Sequence, residues 1–468
     1  MRNIVFLIGV TCLVQTMAQV CPYSDPRCDC ERDSITCYNL QQIPPLNKEV
    51  NESEFPYLTI EGGTIITIPS NSLPAGLNEI DLLDHPIINI SDDAFDASAA
   101  TLETVFLRGT KLNNLPTALR KLRKLTDLEI EDTPIQVWDA ATLKQIAATL
   151  ENLELSNVSL SAWPSWISEF HLLRSLDLSF NSLKYIPLFA FRSVKHTLTH
   201  LYLRNTDLTR VPNALSMPSN LTTLDLSNNN LDDDSDMNRI TGSSFAQTLV
   251  ELTLDSVGMT RMPNFSNLTN LESIRLSNNR ISDVPAGSLP ASLKQLFLSN
   301  NSLSSVPKYV ASMSGLSYLQ LSNNQIAEIE PNSFPSGLTG LQLSFNNLDS
   351  ITNQTLNNLN LLQTLDLDSN PITTISPSAF SHLVSLQYLS IRNSLLTEIP
   401  LAFTSLSPKV YIQLTTTQSL SCDCPAAQEL VQWYSSMAYT GRIQVVCTNG
   451  QLIDTYLRGH CVQTTGTP

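Results

Sequence analysis

The residue types that most often carry catalysis are scattered along this chain. The six histidines are His85, His171, His196, His200, His382 and His460. None stands in the H-E-x-x-H spacing that puts two imidazoles on one helix face, and no G-x-S-x-G elbow or phosphate-cradling glycine loop occurs. His196 and His200 are four apart but straddle a crossing into a strand, which argues against a shared metal. Asp234-x-Asp236-x-Asn238 opens like a calcium loop, yet Arg239 takes the glycine position and Phe245 the terminal glutamate position, so the loop chemistry fails. No catalytic set and no cofactor site emerges. What recurs instead is charge and aromaticity at a spacing of two, which places side chains on one face of a strand. The acidic members are Glu79, Asp81 and Asp84, then Asp127, Glu129, Glu131 and Asp132, then Glu154 and Asp177. The others are Phe106 with Arg108, Tyr202 with Arg204, then Arg275, Phe297, Tyr318, Tyr388 and Arg392. Exposed aromatic and arginine side chains are the types most often found as binding anchors. Four carboxylates on one strand, Asp127 to Asp132, repel one another and point to a basic partner or to bound calcium.

These residues need a scaffold that turns alternate side chains outward, and a repeat supplies it. LESIRLSNNRISDVP from Leu271 returns as LKQLFLSNNSLSSVP from Leu293 and LSYLQLSNNQIAEIE from Leu316, then twice more from Leu338 and Leu362. The pattern L-x-x-L-x-L-x-x-N-x-L at a period of 20–29 residues marks a leucine-rich repeat. Sixteen frames begin at Phe55, Leu77, Leu102, Leu125, Leu150, Leu173, Leu198, Leu221, Leu249, Leu271, Leu293, Leu316, Leu338, Leu362, Leu386 and, degraded, Val410. The expected fold is an α/β repeat, a curved leucine-rich-repeat solenoid of about 16 repeats of 22–28 residues. Its parallel β-sheet lines the concave face, and frame positions 3, 5, 7 and 8 look out from it. Positions 1, 4 and 6 point inward. Asn at position 9 both donates to and accepts from turn backbone, so Asn181, Asn229, Asn279, Asn301, Asn324, Asn346 and Asn370 predict a buried ladder. Phe95, Phe191, Phe334 and Phe380 share position 19 as convex core. His85, Thr110, Thr133, Val158 and Thr206 break the ladder. The 28-residue frame from Leu221 carries Asp232 to Asp236, which predicts a solvated bulge at the rim.

The ends are differently built. Arg2, an apolar run over residues 4–14 and the small residues 16–18 read as a signal peptide, 1–18. The remaining cysteines fall in two fours, Cys21, Cys28, Cys30 and Cys37, and Cys422, Cys424, Cys447 and Cys461. In a secreted chain this reads as disulfide caps over 19–54 and 415–461, bracketing repeats over 55–414, with two four-cysteine metal sites as the competing reading. Leu430, Val431 and Trp433 predict a short amphipathic helix in the second cap, facing the last repeat. Sequons at Asn51, Asn89, Asn157, Asn220, Asn264, Asn267, Asn300 and Asn353 predict glycosylation. The tail, 462–468, holds no spanning or anchoring segment, which predicts a released, extracellular protein. A formal charge of −16 disfavours nucleic acid and anionic membranes as partners.

The repeat wording, with I-P and a phenylalanine downstream, resembles the extracellular leucine-rich-repeat superfamily of animals. Cys21 to Cys37 look like its amino-terminal cap, and Cys422, Cys424, Trp433, Cys447 and Cys461 like its carboxy-terminal cap. The resemblance implies the pairs Cys21–Cys30, Cys28–Cys37, Cys422–Cys447 and Cys424–Cys461. It implies a scaffold and no single activity. The expected function is non-catalytic binding of an extracellular protein or glycan on the concave face. A matrix component that self-associates as a homodimer, a soluble immune-type recognition protein, and a non-catalytic subunit of a secreted enzyme complex stay open as alternatives.

Overall fold

A computed structural model describes residues 21–47, 49–231, 233–423, 425–437, 443 and 445–459. The signal segment, the tail, His460, Cys424 and Cys461 lie outside the described residues, and so does the Cys424–Cys461 pairing. The chain forms two compact units that divide between Asn152 and Leu153.

The first unit begins with an antiparallel hairpin, Cys28–Glu31 against Ser34–Leu40, tied by Cys21–Cys30 and Cys28–Cys37 as the resemblance implied. Ser34–Leu40 then pairs in parallel with Tyr57–Gly63, and the sheet continues through Glu79–Leu83, Thr104–Arg108 and Asp127–Glu131. Each strand alternates, so pairs such as Ile80 and Leu82, or Leu128 and Ile130, are buried and their neighbours face out. The second unit repeats the arrangement with three-residue strands from Ser175–Asp177 to Thr364–Asp366, each in parallel register with the next. Tyr388–Ser394 and Tyr411–Thr416 close its sheet, and Cys422–Cys447 ties the final cap. Phe95, Phe191, Phe334 and Phe380 are all buried.

In each repeat frame from Phe55 to Leu386 the chain turns through the left-handed region at position 8. Asn205, Asn228, Asn278, Asn300 and Asn323 sit there with φ between 52° and 58°, a conformation that Asn tolerates better than most residues. The Asn that follows, at position 9, fastens the turn. The Asn229 amide donates to the carbonyls of Leu226 (2.9 Å) and Ser227 (3.2 Å) and to Leu203 of the preceding repeat (2.8 Å). Its Oδ1 accepts from the backbone N–H of Thr206 and Leu208, both 3.0 Å, in that preceding repeat. One buried side chain thus joins two turns, and the joining runs backward to the repeat before. Asn181, Asn279, Asn301, Asn324, Asn346 and Asn370 donate in the same pattern. This direction explains how the exceptions survive. Val158 offers no polar atom, yet its N–H is taken by Asn181 of the next repeat (3.2 Å). Thr110 and Thr133 hydrogen-bond each other (3.1 Å). His85 accepts from Ile65 N–H through Nδ1 (3.4 Å), and burial pushes its pKa down.

Four local expectations need correction. The insertion does not simply bulge: Asp234–Met237 and Asn238–Thr241 are helical and bury Met237 and Ile240, whose i, i+3 spacing gives one turn an apolar side. Asp232 lies outside the described residues. The last frame starts one residue earlier than read, because Tyr388 pairs with Tyr411 and Leu389 with Ile412. Val410 continues the inward alternation of Ile412 and Leu414 and is buried with them. In the cap helix Gln428–Ser436, the buried side is Leu430, Trp433 and Tyr434, while Val431 is half-exposed. Helical periodicity selects i, i+3 and i+4 from Leu430. Asp132, finally, is past the strand end, in the left-handed turn at φ 49°.

Replacing Asn229 by alanine strands buried carbonyls and N–H groups of two turns at about 1–3 kcal/mol each. We expect a loss of about 3 kcal/mol in urea unfolding, against under ~0.5 kcal/mol for the neighbouring surface change Asn230→Ala. Equal midpoints would show that the ladder is not a fastening.

Candidate binding faces of the sheet

In the first unit the register aligns three outward lanes. Glu79, Thr104 and Asp127 lie side by side, then Asp81, Phe106 and Glu129, then Leu83, Arg108 and Glu131. Adjacent strands are about 4.8 Å apart, so Asp81 and Glu129 face each other across Phe106 at roughly 10 Å. Asp127, Glu129 and Glu131 follow one another on one strand face. The pKa of Glu129 is raised by burial, and then by Glu131, Asp127, Asp81 and Glu79. That of Glu79 is raised by burial, Asp81 and Asp127. Asp81 is raised by burial, partly offset by the Thr59 hydroxyl (3.0 Å). Asp127 accepts from Thr126 and Asn152. Arg108 could relieve this crowding, but its guanidinium is held by Asp84 at the rim (3.0 Å), 6.0 Å from the Phe106 ring. Among the described residues, no ion pair joins the middle-lane carboxylates Asp81 and Glu129 to a cation.

The second unit solves the same problem differently. Tyr202 lies between Asp177 and Asp225 in register. Arg204 binds Asp225 through Nε (3.2 Å) and Nη2 (2.9 Å). Arg275 binds Asp255 (3.2 Å) and lies 4.3 Å over the Phe297 ring, which meets Tyr318 at 5.4 Å. Arg392 binds Asp368 (2.6 Å), and Tyr388 stacks on Tyr411 at 5.5 Å. Gly340 leaves room for the Tyr318 ring, since a Cβ there would stand 2.5 Å from it. Arg204, Arg275 and Arg392 are each oriented by an aspartate, Asp225, Asp255 or Asp368, and none of these three is among the sequence-predicted site residues. The signal was present: opposite charges at positions 5 or 7 of neighbouring frames. Between the first two pairs lies a polar basin of about 390 Å³. The eight sequon asparagines are all exposed. Among the described residues no group of three or more His, Cys, Asp or Glu is placed to hold a metal ion. His196 bonds Ser219 and His200 bonds Thr199, so they do not share a site. No described helix is long and apolar enough to cross a membrane.

A leucine-rich-repeat family model matches residues 171–231, 291–335 and 336–396, and a second matches 220–243 and 270–291. By sequence, the chain matches none of the curated proteins. Among solved structures, Toll in a Toll–Spatzle complex from Drosophila is similar at TM-score 0.62 and 17% identity, covering 83% of this chain and 55% of that one. The chain thus spans little more than half of that relative. A leucine-rich-repeat protein of Leptospira interrogans is similar at TM-score 0.63 and 22% identity, covering 80% and 93%. TLR13 in a complex with a single-stranded RNA gives 0.55 and 18%, covering 89% and 66%. At these identities the likeness is one of fold: the repeats are leucine-rich repeats stacked as a solenoid.

Glu129→Gln removes a half-buried charge from the crowded lane. A carboxyl whose folded pKa is raised destabilises the fold once ionised, so stability is lost as pH rises through that pKa. The variant should therefore melt higher than the native protein at pH 7, and the gap should close below about pH 4 as Glu129 protonates. Calorimetry across that range checks the sign.

Proposed function

We propose that this leucine-rich-repeat protein is a secreted, non-catalytic binding scaffold that takes another extracellular protein on the open face of its sheet. The cationic surface of that partner would lie on the strands Glu79–Leu83, Thr104–Arg108 and Asp127–Glu131. The observation that carries this reading is the uncompensated crowding of Glu79, Asp81 and Glu129 around Phe106. A stability-neutral sheet would pair those carboxylates, as the second unit pairs Asp225, Asp255 and Asp368 with arginine. A lysine- or arginine-bearing partner would supply the missing charge, with Phe106 as an apolar anchor at the centre. Two supports favour an extracellular setting: disulfides, which persist in oxidising compartments, and the exposed sequons. The net charge of −16 argues for a protein ligand over a nucleic-acid one.

An octalysine peptide is a direct probe, titrated calorimetrically into the full secreted protein at about 50 and 150 mM salt, where screening separates charge from packing. The triple neutralisation Asp127→Asn, Glu129→Gln, Glu131→Gln should weaken binding at least tenfold. An equal charge change at exposed Glu251, Asp283 and Glu328 of the second unit should leave it within twofold. Indifference to the first triple, or binding that appears only with calcium, would overturn the reading.

A further inference from the structure

One short stretch of the second unit exposes three large apolar side chains close together in the chain. Tyr185 is 68% exposed, Leu188 47% and Phe189 63%. Tyr185 and Leu188 line a groove of about 430 Å³ between residues 184–188 and the matching segment 208–213 of the next repeat. Its floor is apolar, formed by buried Ile186, Leu208 and Val211. Its lining holds three cations, Lys184, Arg210 and Arg239, and no carboxylate, in a chain where acidic residues outnumber basic ones 43 to 27. Arg239 comes from the overlong frame. Its guanidinium is fixed by the Val211 carbonyl (3.0 Å) and by Asp236 (2.7 Å). The insertion thus walls the groove. Lys184 is held at φ 56°, a conformation that costs a non-glycine residue about 1–2 kcal/mol. The corresponding groove between residues 282–286 and 303–309 is smaller, about 280 Å³, and its lining mixes Asp283 with Lys308.

An apolar patch rimmed by one sign of charge marks an interaction surface, and here the sign is opposite to that of the whole chain. We propose that this groove is a second docking site, for an extended acidic segment of a partner protein. An apolar side chain of that segment fills the space between Tyr185 and Leu188, and its flanking carboxylates meet Lys184 and Arg210. The site is independent of the carboxylate face, which repels such a segment, so the two readings fail separately.

The test uses the full secreted protein and two fluorescent peptides, acetyl-Glu-Phe-Glu-Leu-Glu-Glu and its apolar-deleted form acetyl-Glu-Ser-Glu-Ser-Glu-Glu, followed by anisotropy. The first peptide should bind and the second should bind at least tenfold more weakly. Lys184→Glu with Arg210→Glu, and separately Tyr185→Ser with Leu188→Ser, should each cut affinity for the first peptide at least tenfold. These positions are exposed, so circular dichroism and unfolding midpoints should match the native protein. Undetectable binding of the first peptide, or binding unchanged by both double variants, overturns the proposal. So does concentration-dependent self-association that Tyr185→Ser with Leu188→Ser abolishes while no peptide binds, since the groove would then be a contact between copies.

Discussion

A repeat solenoid must turn its chain sharply after every short strand, and each turn buries backbone donors and acceptors that strand pairing does not reach. In this protein the buried position-9 asparagine answers that demand. Asn229 takes N–H groups from one turn and gives protons to carbonyls of two. Because it reaches back to the preceding repeat, one asparagine stabilises two turns. A repeat can lose its own asparagine if the next one keeps it, as Val158 shows beside Asn181. The threonine pair Thr110 and Thr133 offers a weaker substitute. Turns held from within leave the outward strand positions free of structural duty.

The two units use that freedom differently. The second unit pairs part of the charge on its sheet face, with Arg204, Arg275 and Arg392 each locked to an aspartate and aromatic rings braced on one another. Those three arginines are already partnered. The first unit keeps carboxylates together and diverts Arg108 to Asp84. Self-repulsion there costs stability, and it is retained at the place where the position-9 ladder is also weakest, at His85, Thr110 and Thr133. A surface that tolerates both departures is where a partner's contribution would matter most.

The fold was largely legible in the sequence because its signal is periodic. Leucines at fixed intervals define inward positions, and the recurring Asn and Phe fall where the frame puts them. Legibility failed wherever the period slipped or contacts ran between frames. Val410 was buried as expected, yet the strand's alternation set a register one residue off. Met237 and Ile240 looked like part of a polar insertion because Asp232 to Asp236 dominate its composition. Asp225, Asp255 and Asp368 carry no distinguishing mark within their own frames, since their role comes from an arginine in another repeat. The candidate anchors were legible as outward residues; which of them were already partnered was not.

The central claim is that the crowded carboxylates of the first unit meet a cationic protein. Zero-length carbodiimide crosslinking of the native protein in the extracellular setting proposed for it, read by mass spectrometry, tests it most directly, because that chemistry joins carboxylates only to amines in contact. The account predicts crosslinks from Glu79, Asp81, Glu129 or Glu131 to lysines of one recurring partner, lost at high salt. Crosslinks confined to other surfaces, with those four carboxylates modified as freely as in the isolated protein, would contradict it.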